Sequence, residues 1–597
     1  MTHFRENIVI KLKKAIFLTA FRRETSIKNN DELKKNFLPK ESNYWPKDSA
    51  SSKQSYSKIL CSNFKLHFRK KHILFYSYGI NNLSDYFSIS RSYHESASIE
   101  HGKDNLTLTR RESLLSIADV PGPNSIPFLG SRLKYKPFGP WDENRLHIAN
   151  IEKYNKYGPL VKEKNGLFSV DCLLLFDPND VEKVFRQEGT CPFRPSFQAI
   201  VDHRRKNNYS LGLGQLQGEE WQYLRKTIQK RMMNVNAASP FIEMQEKTAD
   251  DLIKLIRHTK SNQNSEIKDF IVYLQRWSLE SIVSALLGQR LGCLELSNNN
   301  NSTEMDQLIS DTCTIFESQY KLMIGVPWWK IFPTPSWIAF INSHERIFEI
   351  CKRYTLKTLR KYKDPLNSQT SNHINATPES FVLKLAREKN LHLDDLLTTV
   401  TELMISGIQT TASAMAFNLY HLAVNKECQD KLRQEITETF RIKKEQFLDA
   451  ETLRSMSYLR AVVWETSRLN PVAFGTVRVL DRPIELSGYR IPSGVPLIPQ
   501  NMVMSRLPKY FKDHDKFIPE RWLKHGIHKG FHPYCVLPYG HGPRMCIGRR
   551  FAEQELNLGL IKIIKTFAVS YEKEPIDSVT ELIVKPDRPI TLKFKEI

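Results

Sequence analysis

The chain has 597 residues, 41% hydrophobic and 11% aromatic, which is enough for a large core and excludes general disorder. Its net charge of +22 favours a targeting segment, an anionic membrane surface or an acidic protein partner, with ordinary solvated charge as the alternative. We expect no nucleic-acid partner, because the chain has no basic stripe with interleaved aromatic residues and no zinc-finger or helix-turn-helix spacing.

The N-terminal region reads as a basic extension, residues 1–117, that is mostly irregular beyond residue 24. Residues 1–110 hold 20 Lys and Arg against 10 Asp and Glu. A basic, acid-poor amphipathic start resembles a mitochondrial presequence, and an ordinary surface helix is the alternative. No window of about 18 residues is apolar and uncharged, so no transmembrane helix is predicted. One helical face of the start carries Phe4, Ile8, Leu12, Ala15 and Ile16.

The folded body begins near the proline-rich run Val120-Pro121-Gly122-Pro123, and we place the domain boundary before residue 118. Helical patterns dominate from there on, and they predict one large, mainly α domain with small β-sheets over residues 118–597. Short β patterns lie at 160–176, 474–497 and 578–595. The helical patterns lie at 142–157, 219–233, 241–258, 266–288, 304–320, 338–362, 379–388, 394–424, 427–440, 457–469 and 549–567.

The nine cysteines include no Cys-x-x-Cys pair, which argues against a disulfide framework and structural zinc. Cys546 stands in a glycine-rich loop, Tyr539 to Gly548, directly before a helical pattern. The glycines let the backbone approach a ligand, and the N–H groups at a helix start favour a thiolate. Arg544 can pair with an anion on the rim of a cofactor. The layout suits a single thiolate ligand to a large flat metal cofactor.

This loop resembles the Phe-x-x-Gly-x-Arg-x-Cys-x-Gly pattern of the cytochrome P450 family, the haem-thiolate monooxygenases. Tyr539 takes the Phe place and keeps an aromatic wall against the sulfur. The resemblance implies the cytochrome P450 fold, a haem b cofactor (iron protoporphyrin IX) and Cys546 as the axial iron ligand. The matching positions are Gly542, Arg544, Cys546 and Gly548.

Further matches supply partners for the two haem propionates. Trp221 and Arg225 fit the family's Trp-x-x-x-Arg helix, and Arg478 lies where the family has another propionate arginine. With Arg544 the set offers three guanidinium groups and one indole N–H. Two carboxylates buried without such partners would be prohibitively unfavourable.

Residues Ser406 to Thr411 resemble the Ala/Gly-Gly-x-Asp/Glu-Thr-Thr segment of the family's long central helix. The resemblance makes Thr410 the proton-relay hydroxyl and predicts that Gly407 clears space for haem and oxygen. Gln409 is a departure, because an amide cannot exchange a proton at working pH as a carboxylate can. It can orient a water. Proton delivery through water and Thr410 alone, slower turnover and altered chemistry are all open.

A second motif joins Glu465 and Arg468, which share a helical face, to Arg521 of the segment Pro519-Glu520-Arg521. In the family such residues form a buried charged cluster. The resemblance therefore implies that these three side chains hold the cysteine loop in place.

Two arginines after the Cys-x-Gly, Arg549 and Arg550, resemble the mitochondrial branch of the family, as does Arg460 in Leu459-Arg460-Ala461. That branch takes electrons from an acidic iron–sulfur ferredoxin and its reductase, so these arginines are predicted docking residues. Trp464 stands where the branch has a second basic residue. Solvated surface charge is the alternative reading.

The tryptophans Trp328, Trp329 and Trp337 resemble the same branch, between two helices that roof its pocket. Indoles beside a lysine suit a membrane interface, so we expect peripheral membrane contact here. A buried aromatic cluster is the alternative.

The expected function is a monooxygenase that inserts one atom of O2 into a lipophilic, sterol-like or xenobiotic substrate, on the matrix side of the inner mitochondrial membrane. The substrate is expected to touch Leu403 to Thr410, Val472 to Thr476 and Leu582 to Val584. The alternatives are an endoplasmic-reticulum membrane enzyme reduced by a flavoprotein, a haem-thiolate isomerase or dehydratase, and a non-enzymatic haem sensor.

Overall fold

The computed structural model describes residues 114–597, except 127–129, 165–170, 263–264, 296–299, 364–377, 444–447 and 525–529. The predicted presequence and residues 24–113 of the extension lie outside the described residues. The first described strand, Leu115–Ser116, pairs in parallel with Tyr489–Arg490. The sheet therefore begins slightly before the predicted domain boundary at residue 118.

Helices dominate the described residues, which confirms the expected mainly α fold. The long helices follow the predicted amphipathic patterns closely. The short helices α2, α3, α4, α13 and α15 were not predicted. The helices are α1 (Leu146–Tyr157), α2 (Pro178–Gln187), α3 (Gln198–Lys206), α4 (Gly212–Gln215), α5 (Gly218–Met232), α6 (Ile242–Asn262), α7 (Ile271–Leu287), α8 (Asn300–Ile324), α9 (Pro335–Lys363), α10 (Phe381–Ala386), α11 (Leu393–Val424), α12 (Lys426–Ile442), α13 (Ala450–Ser455), α14 (Ser457–Leu469), α15 (Asn501–Met504) and α16 (Arg549–Thr566).

Twelve short strands in the described residues form four small sheets. Their orders are β1-β7-β6, β2-β3-β8-β5, β4-β12-β9 and the hairpin β10-β11. The strands are β1 (Leu115–Ser116), β2 (Leu160–Glu163), β3 (Cys172–Leu175), β4 (Glu266–Ile267), β5 (Arg478–Val479), β6 (Ile484–Leu486), β7 (Tyr489–Ile491), β8 (Pro496–Pro499), β9 (Phe567–Ser570), β10 (Ser578–Thr580), β11 (Val584–Pro586) and β12 (Leu592–Glu596).

Helix α11 is the central element of the core. Asp394 and Asp395 in its first turn favour the positive end of the helix dipole, and the helix ends before Asn425. It is apolar on most faces, as expected of a helix enclosed by others. Its C-terminal half packs with α7 and α16, and its N-terminal half packs with α8 and α9. No helix in the described part of the chain combines the length and apolar character needed to span a membrane.

Candidate active site

The cysteine loop is a compact turn directly before α16. The backbone N–H of Cys546 donates to the carbonyl oxygen of Tyr539 at 2.9 Å, which closes the loop. Gly540 and Gly542 have φ angles of +72° and +73°, a region that favours glycine. A Cβ atom at Gly542 would lie 1.7 Å from Oε1 of Glu188, so a larger residue would displace the carboxylate that pairs with Arg478.

Cys546 is exposed, and its thiol is the accessible sulfur of the loop. Desolvation raises the pKa of the Cys546 thiol above its ordinary value. The backbone N–H of Gly548 and the charge of Arg225 act in the opposite direction and lower this pKa. A bound cation is what would stabilise the thiolate fully, because a metal ligates the deprotonated sulfur.

Four arginines converge beside this loop: Arg194, Arg225, Arg478 and Arg544. Arg478 on β5 is almost fully buried and pairs with Glu188 through its Nε atom. Arg225 on α5 donates from Nη2 to the carbonyl oxygen of Met545 at 2.7 Å. Arg194 was missed by sequence reasoning because the Phe-Arg-Pro segment around it carries no signal on its own.

Arg544 has the least favourable electrostatic environment in this cluster. Its guanidinium lies 3.8 Å from the ring centroid of Trp221, and its Nη1 atom is buried without a hydrogen-bond partner. Burial and repulsion from the other three arginines lower the pKa of Arg544 to about 8. Since arginine keeps its charge in proteins, this shift reports how strongly the site lacks anions.

The residues present fit a haem. The cluster holds four guanidinium groups. Among the described residues, Glu188 is the one carboxylate that forms an ion pair with any of them. Two propionates and one thiolate would bring three negative groups beside this cluster, and a propionate oxygen would give Nη1 of Arg544 an acceptor.

Helix α11 is open to solvent at Ser406. Ser406 is exposed although the residues around it in the helix are mostly buried, so open space lies along this turn. The Thr410 hydroxyl donates to the carbonyl oxygen of Ser406 at 2.6 Å, as expected for a hydroxyl that bonds back one turn.

Gly407 lies against the neighbouring helix α7. A Cβ atom at this position would lie 3.1 Å from Cγ1 of Ile282 on α7. Ser278, also on α7, donates from Oγ to the Gly407 carbonyl oxygen at 3.0 Å. The missing side chain therefore lets α7 approach α11, and the prediction that it clears space for haem gets no support from this direction.

The Gln409 side chain is buried and turns to neighbouring helices. Its Oε1 atom accepts from Nε2 of Gln275 on α7 at 3.2 Å. Its Nε2 atom donates to Sγ of Cys313 on α8 at 2.5 Å. Both ends of the amide thus have protein partners, which leaves one N–H donor of Nε2 for a water. Sequence reasoning missed both partners, which lie 134 and 96 residues away.

Glu465, Arg468 and Arg521 come together as the motif predicts, and each side chain is fully buried. Arg468 makes two 2.8 Å hydrogen bonds to the two carboxylate oxygens of Glu465. Arg521 donates from Nε to Oε1 of Glu465 at 3.2 Å, and Trp522 donates from Nε1 to Oε2 at 3.0 Å.

The link from this cluster toward the cysteine loop runs through aromatic rings. Trp522 packs on Trp464 and on Phe531, with centroid distances of 5.2 and 4.9 Å. These rings line a depression together with Tyr539 and Met545 of the loop. The cluster thus acts on the loop through packing and makes no described hydrogen bond to Cys546.

The three predicted docking arginines line one surface depression together with a fourth arginine. We call this depression the arginine groove, and its arginines are Arg454, Arg460, Arg549 and Arg550. Arg454 was not predicted. Glu553 lies in the same groove and accepts from Nε of Arg549 at 2.8 Å. Tyr539 also lines it, with Arg549 5.4 Å from the ring centroid, so the groove lies behind the cysteine loop.

The three tryptophans differ in exposure, which corrects part of the membrane prediction. Trp328 and Trp329 lie between α8 and α9, and Trp337 lies in the first turn of α9. Trp329 is buried and stacks on half-buried Trp337 at 4.7 Å. Trp328 is exposed, and so are Ile331 and Phe332 beside it. The buried-cluster reading holds for Trp329 and Trp337, and the exposed apolar surface consists of other residues.

Two of the three predicted substrate walls meet. The N–H of Val584, at the start of β11, donates to the carbonyl oxygen of Val472 at 2.8 Å. Ala473 is exposed next to it, although it follows the buried end of α14. The surface formed by Val472, Ala473 and Val584 is apolar and suits a lipophilic ligand.

Comparison with known proteins agrees with this site. The sequence model described as cytochrome P450 matches residues 120–594. The chain is 29% identical to cytochrome P450 10 of Lymnaea stagnalis, over 80% of this chain and 85% of that protein. It is 30% identical to rat mitochondrial 25-hydroxyvitamin D-1 alpha hydroxylase, over 81% and 94% of the two chains. It is 31% identical to rat mitochondrial 1,25-dihydroxyvitamin D(3) 24-hydroxylase, over 80% and 89%. The chain belongs to the cytochrome P450 family and is a haem-dependent monooxygenase.

Proposed function

We propose that Cys546 is the axial ligand of haem b and that the enzyme oxygenates a lipophilic, sterol-like or xenobiotic substrate. The observation that carries this proposal is the set of unbalanced arginines around an accessible thiol. It is the charge pattern that a haem with two propionates and a thiolate ligand would neutralise.

Haem held by a thiolate supplies oxygen activation, since electron donation from sulfur promotes O–O cleavage once two electrons and two protons arrive. The chain's residues then hold and orient the reactants. Arg225, Arg478 and Arg544, with the Trp221 indole, are the proposed propionate partners. The Thr410 hydroxyl, which bonds to the carbonyl oxygen of Ser406 on α11, is the proposed proton relay.

The substrate class follows from the apolar walls and from the relatives. Val472, Ala473 and the turn before Val584 offer few polar groups. Two relatives are named for hydroxylation of vitamin D compounds. A spectral titration with sterols, secosteroids and unrelated lipophiles tests this directly. We expect a haem spectral shift with at least one lipophile and none with a sugar of similar size.

The proposed electron donor is an acidic ferredoxin, supplied by its reductase, that binds the arginine groove. Such a donor agrees with a mitochondrial enzyme, and several relatives are named as mitochondrial. The proposed position within the mitochondrion is the matrix side of the inner membrane. Exposed Trp328 is the proposed membrane contact. A ferredoxin should be attracted by the arginine groove, and the attraction should weaken with salt.

Reconstitution tests the donor. Charge reversal in the double variant Arg549→Glu and Arg550→Glu should raise the ferredoxin concentration for half-maximal reduction by about tenfold or more at low salt. Arg353→Glu on α9, whose side chain is 60% exposed, serves as the control and should change nothing. Equal reduction by a flavoprotein reductase, with no effect of the groove variants, would instead favour the endoplasmic-reticulum alternative.

A further inference from the structure

Two buried amides, Gln409 and Gln275, and the half-buried thiol of Cys313 form a polar triad that joins three helices. Gln409 of α11 accepts from Gln275 of α7 at 3.2 Å and donates to the sulfur of Cys313 of α8 at 2.5 Å. Gln275 also lies 3.7 Å from the same sulfur. Both amide side chains are less than one-tenth exposed, so water does not compete strongly for these bonds.

The chemistry of the triad matches an amide at position 409. An amide can accept from Gln275 and donate to sulfur at once, whereas a carboxylate can only accept. Burial raises the pKa of the Cys313 thiol, so the sulfur stays neutral and presents lone pairs. The positive charge that acts on this thiol is that of Lys585 on β11, which already pairs with Glu581 at 2.8 Å. A carboxylate at position 409 would therefore be desolvated with weak compensation.

The triad lies one residue from the proposed proton relay. Gln409 precedes Thr410, whose hydroxyl is bonded to the carbonyl oxygen of Ser406 in the open turn of α11. Any shift of α8 relative to α11 must stretch the bond between Cys313 and Gln409. The triad therefore couples the position of α8 to the turn that carries Thr410.

We propose that Cys313 and Gln275 are positioning residues that act through Gln409 to fix the Thr410 turn, and that Gln409 is not a proton donor. This inference rests on the proposed role of Thr410. Gln409→Glu should loosen the turn, because a carboxylate cannot donate to the Cys313 sulfur.

The test needs neither a substrate nor a redox partner. Holoenzyme is reduced with dithionite, freed of excess reductant and mixed with air-saturated buffer, and the rate at which the oxidised haem spectrum returns is followed. Cys313→Ala removes the sulfur acceptor and should speed this return about fivefold, the effect of one lost buried hydrogen bond. Cys313→Ser keeps an acceptor and should restore a rate within about twofold of the unmodified enzyme.

Two further variants separate the possible outcomes. Cys428→Ala, at a half-buried thiol of α12, is the matched control and should leave the rate unchanged. Gln275→Met removes the other bond at similar volume and should also speed the return, which keeps the test valid if Cys313→Ala is unstable. Equal rates in Cys313→Ala and the unmodified enzyme, or equally fast rates in the Ala and Ser variants, would overturn the inference.

Thr410→Ala distinguishes this inference from the proposed function. If Thr410→Ala leaves the rate unchanged, the relay role of Thr410 is wrong and the triad loses its target. If Thr410→Ala speeds the return and the Cys313 and Gln275 variants do not, the relay stands and the triad has no positioning role.

Discussion

A surplus of buried positive charge beside the cysteine loop is the residue-level feature that most constrains what can bind there. Arg544 carries the clearest sign of it, with a pKa lowered to about 8 by burial and by Arg194, Arg478 and Arg225. Its buried Nη1 atom has no hydrogen-bond partner within the protein. Such a group destabilises the protein without haem, and its proposed role is to pair with a haem carboxylate.

Arg544→Met is therefore expected to act in opposite directions with and without haem. It should raise the melting temperature of the haem-free protein, because repulsion is relieved. It should also speed haem transfer to apomyoglobin about 10- to 100-fold, since a charged hydrogen bond to a carboxylate is lost. Arg186→Met, at a side chain 71% exposed, is the control. Unchanged haem transfer in Arg544→Met would remove this arginine from the haem site.

The Glu465 cluster makes a separate prediction about stability. Glu465 accepts from Arg468, Arg521, Trp522 and the backbone N–H of Ile518. Glu465→Gln should leave two buried guanidinium groups without their counter-ion and lower the free energy of unfolding by about 3–5 kcal/mol. Urea denaturation measures this, with Glu243→Gln, at an exposed side chain of α6, as the control. A loss below about 1 kcal/mol would mean that the cluster is not the anchor proposed.

At the level of helices, α16 carries a buried acid against α7. Glu555 is 2% exposed, and its Oε1 atom has no hydrogen-bond partner. Burial raises the pKa of Glu555 well above its ordinary value of 4.5, and hydrogen bonds to Ser278 and Ser281 only partly oppose this. The folded protein therefore holds the proton more tightly than the unfolded chain does.

The sign of the resulting pH dependence is fixed by this shift. The contribution of Glu555 to stability is fully present below about pH 4.5 and is lost as the pH rises through the raised folded pKa. Glu555→Gln stays neutral, so its stability relative to the unmodified protein should increase with pH by up to about 1.4 kcal/mol per unit. Thermal melts between pH 5 and pH 9 test this, and a constant difference across that range would contradict it.

Helix and motif positions show what could be predicted from the chain alone. The 3.6-residue apolar period marked α11 and α14 to within a residue or two, because long helices with one buried face repeat the pattern several times. The helices α4 and α15 have four residues each, too few for a period to develop. The Glu465 cluster was predictable because its spacing is local and its partner segment is distinctive.

The partners of Gln409 were not predictable in the same way. Gln275 and Cys313 are ordinary residues within amphipathic helices, and only the packing of α7 and α8 against α11 brings them to the amide. Arg194 joined the cation cluster for the same reason. The direction of Gly407 toward Ile282 also depended on helix packing and not on the motif.

The molecule as a whole places two different surfaces on either side of the cysteine loop. On one side lie the exposed Cys546 and the arginine cluster. On the other side lies the arginine groove, lined by Tyr539 and the start of α16. The proposed thiolate ligand and the proposed docking groove therefore share one loop.

The central claim is that the Cys546 sulfur is the iron ligand, and the spectrum of the reduced protein with carbon monoxide tests it most directly. We predict the far-shifted Soret band of a thiolate-ligated haem, and we predict that Cys546→Ala abolishes it even where some haem stays bound. A histidine-type spectrum in the unmodified protein, or a thiolate band that persists in Cys546→Ala, would contradict the claim.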